Sequence, residues 1–480
     1  MSTRIAQSAG TRASAAPWST LILLCVAQFM VVLDVTVVNV ALPSIGADLG
    51  FAPGDLQWVV TAYVLFTGGL LLLGGRTADL LGRRRVVLAG LLVFTAASLA
   101  SGLAPSPTAL ILARSAQGVG AALLTPAALA IITTTYTGAQ RTVALSAWGA
   151  IASAGAAAGV LFGGMLTTWL GWEWVFFINV PVGIGAGLLA VRLLPSSPTR
   201  RPPGRQLDVA GAASAVGGLV VLVYALTGAA EHGWSSARTL LLLALSAALL
   251  AAFVIIERSV EWPLLPPRTW RVRSLVSAVT VMLGATGVLI GTFFLNSIYL
   301  QTVLGASALE TGLKFLPLAV AIALAAHLAA HLLPRAGARL VAVAGLLLMA
   351  VGTLLFVLAP DRADYATDLL PGFLVVGIGV GLVFPAVSVT AMSDVREEES
   401  GLASGLLMTA HEIGAALGVA VLSAIAAAAA DGRLSVHAGL AAGYEDGFIA
   451  ATVIAAALAL LTLLALPAVR PTGAARAALH

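Results

Sequence analysis

The chain has 480 residues, of which 60% are hydrophobic and only 10% are Asp, Glu, Lys or Arg, and its mean hydropathy is +1.02. Soluble domains carry about 25% charged residues, so a water-soluble globular protein is excluded. The pI near 9.6 does not point to nucleic acid, because the basic residues are spread over alternate loops instead of gathered in a patch.

Residues 1–17 read as an Ala- and Ser-rich cytoplasmic tail without order. The first apolar run, 18–42, is too long for a cleaved signal, contains Asp34 and leads into further spans. It holds Cys25, the single cysteine, so no internal disulfide can form. Runs long enough to cross ~30 Å of hydrocarbon follow at 57–75, 86–104, 109–134, 142–166 and 175–194, closing a six-helix bundle over 18–195. The stretch Pro195 to Gln206, with its Pro and Arg, reads as a linker. Two extra spans, 208–229 and 239–257, and a second basic, Pro-rich stretch from Glu257 to Arg273 complete a linker region over 196–273. Six more spans, 275–300, 312–333, 340–359, 369–391, 402–428 and 447–468, form a second bundle over 274–468, and 469–480 is a second tail. The chain is therefore expected to be an all-α polytopic membrane protein with fourteen transmembrane helices, two six-helix bundles plus two linker helices.

Positive charge sets the orientation. One set of loops carries Arg4 and Arg12; Arg76, Arg83, Arg84 and Arg85; Arg141; Arg200, Arg201 and Arg205; Arg258, Arg268, Arg271 and Arg273; Arg335 and Arg339; Arg396; and Arg470 and Arg476. The opposite loops hold only Arg238, Lys314, Arg362 and Arg433. The excess marks the cytoplasmic side and puts both termini there. Glu397, Glu398 and Glu399 read as a solvated loop on that side.

The bundles look like repeats. The loop after the second span reads Gly75-Arg-Thr-Ala-Asp79-Leu-Leu-Gly82-Arg83-Arg84, and the loop at Pro334-Arg335-Ala-Gly337-Ala-Arg339 matches it when Gly82 is set on Gly337. The fifth helix of each bundle has glycines four apart, Gly155 and Gly159, then Gly414 and Gly418. Repeated halves with a site between them are the plan of many secondary transporters.

Four motifs then stand in order on the expected helices: Leu33-Asp34-Val-Thr36-Val-Val-Asn39-Val-Ala-Leu-Pro43; Gly75, Asp79, Gly82, Arg83 and Arg84; Arg114-Ser-Ala-Gln117-Gly118; and Gly155-x-x-x-Gly159-x-x-x-Gly163-Gly164. With these the chain resembles the major facilitator superfamily, in the fourteen-helix drug:proton antiporter branch (EmrB/QacA-like), over nearly its whole length. Two positions depart from that pattern: Val160 stands where the antiporter motif usually has Pro, and Trp172-Glu173-Trp174 where Trp-Arg-Trp is common. The resemblance implies export of a small hydrophobic drug-like compound or secondary metabolite by proton antiport, with no cofactor. It also implies that the Gly75–Arg84 loop latches the two halves in the outward-open state. A proton-coupled importer on the same fold is the alternative. A membrane enzyme or an ATP-driven pump lacks its motif here: there is no Walker A, His-Glu-x-x-His or Gly-x-Ser-x-Gly pattern.

Asp34 and Arg114 come to similar depth, because the first helix runs up about 16 residues to Asp34 while the fourth runs down to Arg114. A lone charge there costs at least ~2.5–3.5 kcal/mol, so the two are expected either to handle a proton together or to form a static pair. An acid whose surroundings alternate between wet and dry loads and releases a proton. Glu412, near the midplane, is a second proton-site candidate, with His411 beside it as relay or packing donor. Adjacent helical residues point about 100° apart, so only one of the two should face a central cavity. His327 and His331 have i, i+4 spacing but no further ligand nearby, so a metal is not expected. Gly155, Gly159, Gly163 and Gly164 should form a close-packing face. Polar and aromatic handles for an apolar substrate are Asn39, Tyr63, Gln117, Trp148, Phe293, Phe294, Asn296, Tyr299 and Gln301. The expected partners are that substrate, protons and the lipid bilayer, with a monomer as the simplest state.

Overall fold

The computed structural model describes residues 18–52, 55–194, 207–359, 363–396, 399–430 and 436–469. The tails 1–17 and 470–480, the expected linker Pro195–Gln206, and Arg362, Glu397, Glu398 and Arg433 lie outside the described residues.

Among the described residues, fourteen helices are long and apolar enough to cross a membrane: α1 (Trp18–Leu49), α2 (Trp58–Leu81), α3 (Arg83–Gly102), α4 (Pro107–Thr135), α5 (Val143–Trp169), α6 (Trp174–Leu193), α7 (Val209–Ala229), α8 (Ala237–Ser259), α9 (Arg273–Val303), α10 (Ala308–Ala336), α11 (Ala338–Val357), α12 (Tyr365–Met392), α13 (Ser400–Ala429) and α14 (Gly443–Ala465). Each matches one expected span. Several run longer than their apolar core. The expected end of the first span at residue 42 is corrected, because α1 continues through Pro43 to Leu49; neighbouring helices make an intramembrane Pro tolerable. α10 begins at a capping box in which Ser307 Oγ accepts from the Glu310 amide at 3.2 Å and Glu310 accepts from the Ser307 amide at 2.8 Å.

The turn after α2 is tighter than expected. Gly75 lies inside the helix, and only Gly82 turns the chain, at φ +94°, a conformation that favours Gly. Gly337 makes the same turn between α10 and α11 at φ +83°, so the two bundles repeat in backbone as well as in sequence.

Glycine contacts position the bundles. A side chain on Gly163 would meet the Val37 carbonyl at 2.8 Å, and one on Gly159 the Leu33 carbonyl at 2.9 Å, so α5 lies directly on α1. The pairing recurs in the second bundle, where Gly418 of α13 touches Gly287 of α9 and Gly414 touches Leu283. Between bundles, Gly164 faces Ala308 of α10 at 2.7 Å, and Gly68 of α2 faces Glu412 of α13 at 2.5 Å, both measured from an added Cβ. Such backbone approach is the usual way helices associate where lipid supplies no hydrophobic drive.

Polar contacts between the halves gather at the end remote from the arginine-rich loops. Ser297 Oγ donates to the Asn39 carbonyl at 2.8 Å, Gln301 Nε2 to the Val40 carbonyl at 3.0 Å, and Ser423 Oγ to Gln57 Oε1 at 2.6 Å. At the arginine-rich end, Arg76 donates to the Pro263 carbonyl at 2.6 Å, tying the α2 end to the chain after α8. Arg268 pairs with Glu399 at 3.0 Å, so Glu399 is not the free solvated acid the sequence suggested.

A buried carboxylate held by five helices

The acid on α1 is enclosed. Asp34 is 0% exposed and Arg114 1%. An Arg114 Nη1 lies 2.6 Å from Asp34 Oδ2. The other carboxylate oxygen, Oδ1, accepts from Gln117 Nε2 and from Asn179 Nδ2, each at 2.8 Å. Arg114 and Gln117 stand three apart on α4 and so share a face, and Arg114 also donates to Gln117 Oε1 at 2.8 Å.

Each part is held in turn. Arg114 Nε donates to the Val59 carbonyl of α2 at 3.0 Å. Its guanidinium carbon sits 4.3 Å from the centre of the Tyr63 ring and 5.7 Å from that of Phe176, within cation–π range. Asn179 opens the second segment of α6, after a break at Ile178, and also donates to Ser98 Oγ at 3.1 Å. Ser98 donates to the Phe176 carbonyl at 2.9 Å. Helices α1, α4 and α6 thus supply the acid and its donors, α2 backs the guanidinium, and α3 steadies Asn179. The donors are all N–H groups converging on one negative charge, an arrangement suited to a carboxylate and not to a metal. The Tyr63 hydroxyl is buried beside this network with no partner among the described residues.

Glu412 is different. It faces α2 across the junction between the halves, at Gly68. Its carboxyl makes no hydrogen bond or ion pair among the described residues. His411 turns away into its own bundle, where its Nδ1 meets Thr286 Oγ1 at 3.1 Å and Phe384 presents its ring at 5.7 Å. His327 and His331 meet edge to face on α10, with ring centres 5.0 Å apart.

In the loop expected to latch the halves, Asp79, Arg83 and Arg84 hold only their own side, while Arg76 reaches Pro263 in the linker region. Asp79 reaches Arg83 at 3.9 Å, with the two side chains 52% and 28% exposed. Arg83 donates to Thr134 at 2.6 Å and Arg84 to the Val191 carbonyl, both within the first bundle. Among the described residues Asp79 makes no ion pair to the second bundle.

The substrate handles Asn39, Tyr63, Gln117, Trp148, Phe293, Phe294, Asn296 and Tyr299 are all buried. Gln117 belongs to the Asp34 network, Phe293 packs on Phe315 at 4.1 Å, Tyr299 meets Tyr444 edge-on at 5.3 Å, and Gln301 joins the seal between α1 and α9. Asn179 and Ser98 were missed by sequence reasoning. The available signal was Asn179 itself, a lone amide in an apolar run just ahead of Pro181.

Comparison with known proteins agrees with this architecture. The Major Facilitator Superfamily profile matches residues 24–419. The chain is 44% identical over 455 residues to puromycin resistance protein pur8 of Streptomyces alboniger, covering 93% of this chain and 89% of that one. It is 42% identical over 450 residues to the cephamycin export protein CmcT of Amycolatopsis lactamdurans, covering 92% and 91%. Among solved structures, a peptide transporter POT superposes with a TM-score of 0.69 at 17% identity, covering 94% of this chain and 96% of that one. That last likeness is one of fold.

Proposed function

The chain belongs to the major facilitator superfamily, a family of membrane transporters and not of enzymes, and on that premise we propose that it exports small hydrophobic, drug-like compounds from the cell in exchange for protons. The carrying observation is the Asp34 carboxylate, fully enclosed at membrane depth and held by Arg114, Gln117 and Asn179. Relatives named for puromycin resistance and cephamycin export support the direction and the substrate class.

The mechanism follows from a charge that depends on its setting. With the outer contacts made, Asp34 is ionised and matched by Arg114. Rocking of the bundles over 18–195 and 274–468 breaks the outer seal at Ser297, Gln301 and Ser423 and admits water from outside. A proton then neutralises Asp34 and loosens Arg114. Return to the present state re-forms the pair and releases the proton inward. Glu412, unpartnered at the sliding junction, is the second proton or cation site. Asp79, paired with Arg83 of its own bundle and not with the second bundle, supports an access path from the arginine-rich side, which we assign to the cytoplasm together with both termini. Substrate handles such as Asn39, Asn296 and the Tyr63 hydroxyl become available as the outer seal opens. One proton moving down ~100 mV supplies about 2.3 kcal/mol and one pH unit about 1.4 kcal/mol. Together they support a roughly few-hundred-fold gradient of a neutral compound exchanged one for one.

The test is uptake of puromycin, a cephamycin and lincomycin into everted membrane vesicles acidified inside. Expected is accumulation that a protonophore abolishes. Accumulation that survives the protonophore would contradict proton antiport, and no accumulation of any compound in the panel would contradict drug export.

A further inference from the structure

We infer that the arginine-rich face of the second bundle carries a site for an anionic phospholipid, with its head group on Arg271 and Arg273 and an acyl chain in the groove between α9 and α14. A groove of about 310 Å³ opens there, walled by Val276, Val281, Leu461 and Leu466. Its mouth is formed by Trp270, Arg271 and Arg273. Both arginines are exposed, and neither side chain makes an ion pair or hydrogen bond among the described residues. Their neighbour Arg268 does have a partner, Glu399 at 3.0 Å, so the two free guanidinium groups are not a general property of this loop.

Three further observations point to a lipid as the occupant. Trp270 is 57% exposed at the same mouth, where an amphipathic ring suits the head-group level of a bilayer. Thr462 lines the groove, is 0% exposed, and its hydroxyl has no partner, so a polar ligand atom has a donor waiting. The groove starts at the first turn of α9, whose unpaired amides favour an anion. A site with two cations at its polar end and aliphatic walls below it has the charge and shape of an anionic lipid. A zwitterionic lipid would bring its own ammonium against the arginines. A free phosphate would use the mouth and leave the apolar walls unfilled. Basic pockets between helices on the cytoplasmic side are where anionic head groups bind in general.

The experiment uses the full chain purified in mild detergent. It is mixed with phosphatidylglycerol or with phosphatidylethanolamine of matched acyl chains, with and without millimolar inorganic phosphate, and retained lipid is counted by native mass spectrometry. Phosphatidylglycerol should be retained over phosphatidylethanolamine. Retention should fall about fivefold for each arginine removed in R271Q/R273Q, the effect of one basic residue at an anionic surface, and should not fall in the control R141Q, an exposed arginine of the first bundle. Thr280→Trp keeps both arginines but fills the groove, and should also lower retention. Unchanged retention in either R271Q/R273Q or T280W would overturn the site, as would equal retention of the two lipids. Full displacement of the lipid by inorganic phosphate would show a free-anion site instead.

Discussion

Three donors converge on a single carboxylate at Asp34, and that convergence sets the consequences of changing any one of them. Removing one partner of a buried ion pair leaves the other uncompensated, at about 3–5 kcal/mol in soluble proteins. Asp34→Asn keeps the shape, removes the charge and leaves Arg114 facing Tyr63. Proton-driven export should be lost while binding and substrate exchange persist; a variant that still accumulates drug would move the proton site elsewhere, with Glu412 next. Asn179→Leu removes one hydrogen bond to a charged group, worth about 1.5–3 kcal/mol. Efflux rate should drop by about tenfold or more, with Ser98→Ala milder, and a wild-type rate in Asn179→Leu would mean that Asn179 only packs. The pairing of Asp34 with Arg114 was legible in the sequence because polar residues in apolar spans are few and helix direction fixes their depth; Gln117, expected as a substrate handle, joins them instead. Asn179 was not legible, because the break at Ile178 that aims it at Asp34 leaves no mark in hydropathy. The handles were least legible: an aromatic or amide on a helix looks the same whether it faces a cavity or packs on a neighbour, as Phe293 does on Phe315 and Tyr299 on Tyr444.

Element pairs explain why glycine spacing was the most informative pattern. Gly159 and Gly163 seat α5 on α1, and Gly414 and Gly418 seat α13 on α9, in both cases against backbone that cannot yield. Gly418→Val should therefore destabilise the purified protein by about 1–3 kcal/mol, as overpacking does, read as a lowered melting temperature in detergent. Gly185→Ala, which meets nothing within 4 Å, should leave the melting temperature unchanged or slightly raised; equal losses in both would undo the packing account. The same repeat logic set Gly82 on Gly337, and both turn the chain at positive φ. It placed Gly75 at the start of the loop, whereas the helix continues past it to Leu81, which a glycine at the end of an apolar run does not reveal. Asp79 belongs to this scale too. Its exposure and its lone i, i+4 contact fit a latch in its released state. Asp79→Asn should slow the transport cycle while leaving substrate affinity largely intact, and a large loss of affinity at a normal cycling rate would place Asp79 in the binding site.

At the scale of the whole molecule, fourteen spans and the arginine bias were plain from composition, since a chain with so few charges has little choice of where to put them. The conformational state was not legible. It depends on small contacts such as Ser297 to the Asn39 carbonyl, whose partners lie 258 residues apart. A cytoplasm-active reporter fused after Arg476 should be active, and one active only outside would reverse the topology. The central claim is that one enclosed carboxylate couples protons to export. It is tested most directly by adding puromycin to proteoliposomes loaded with a pH dye and comparing wild type with Asp34→Asn. Wild type should give a substrate-induced proton flux opposite to drug movement, and Asp34→Asn should give drug exchange without proton flux. Equal proton flux in both would contradict the claim.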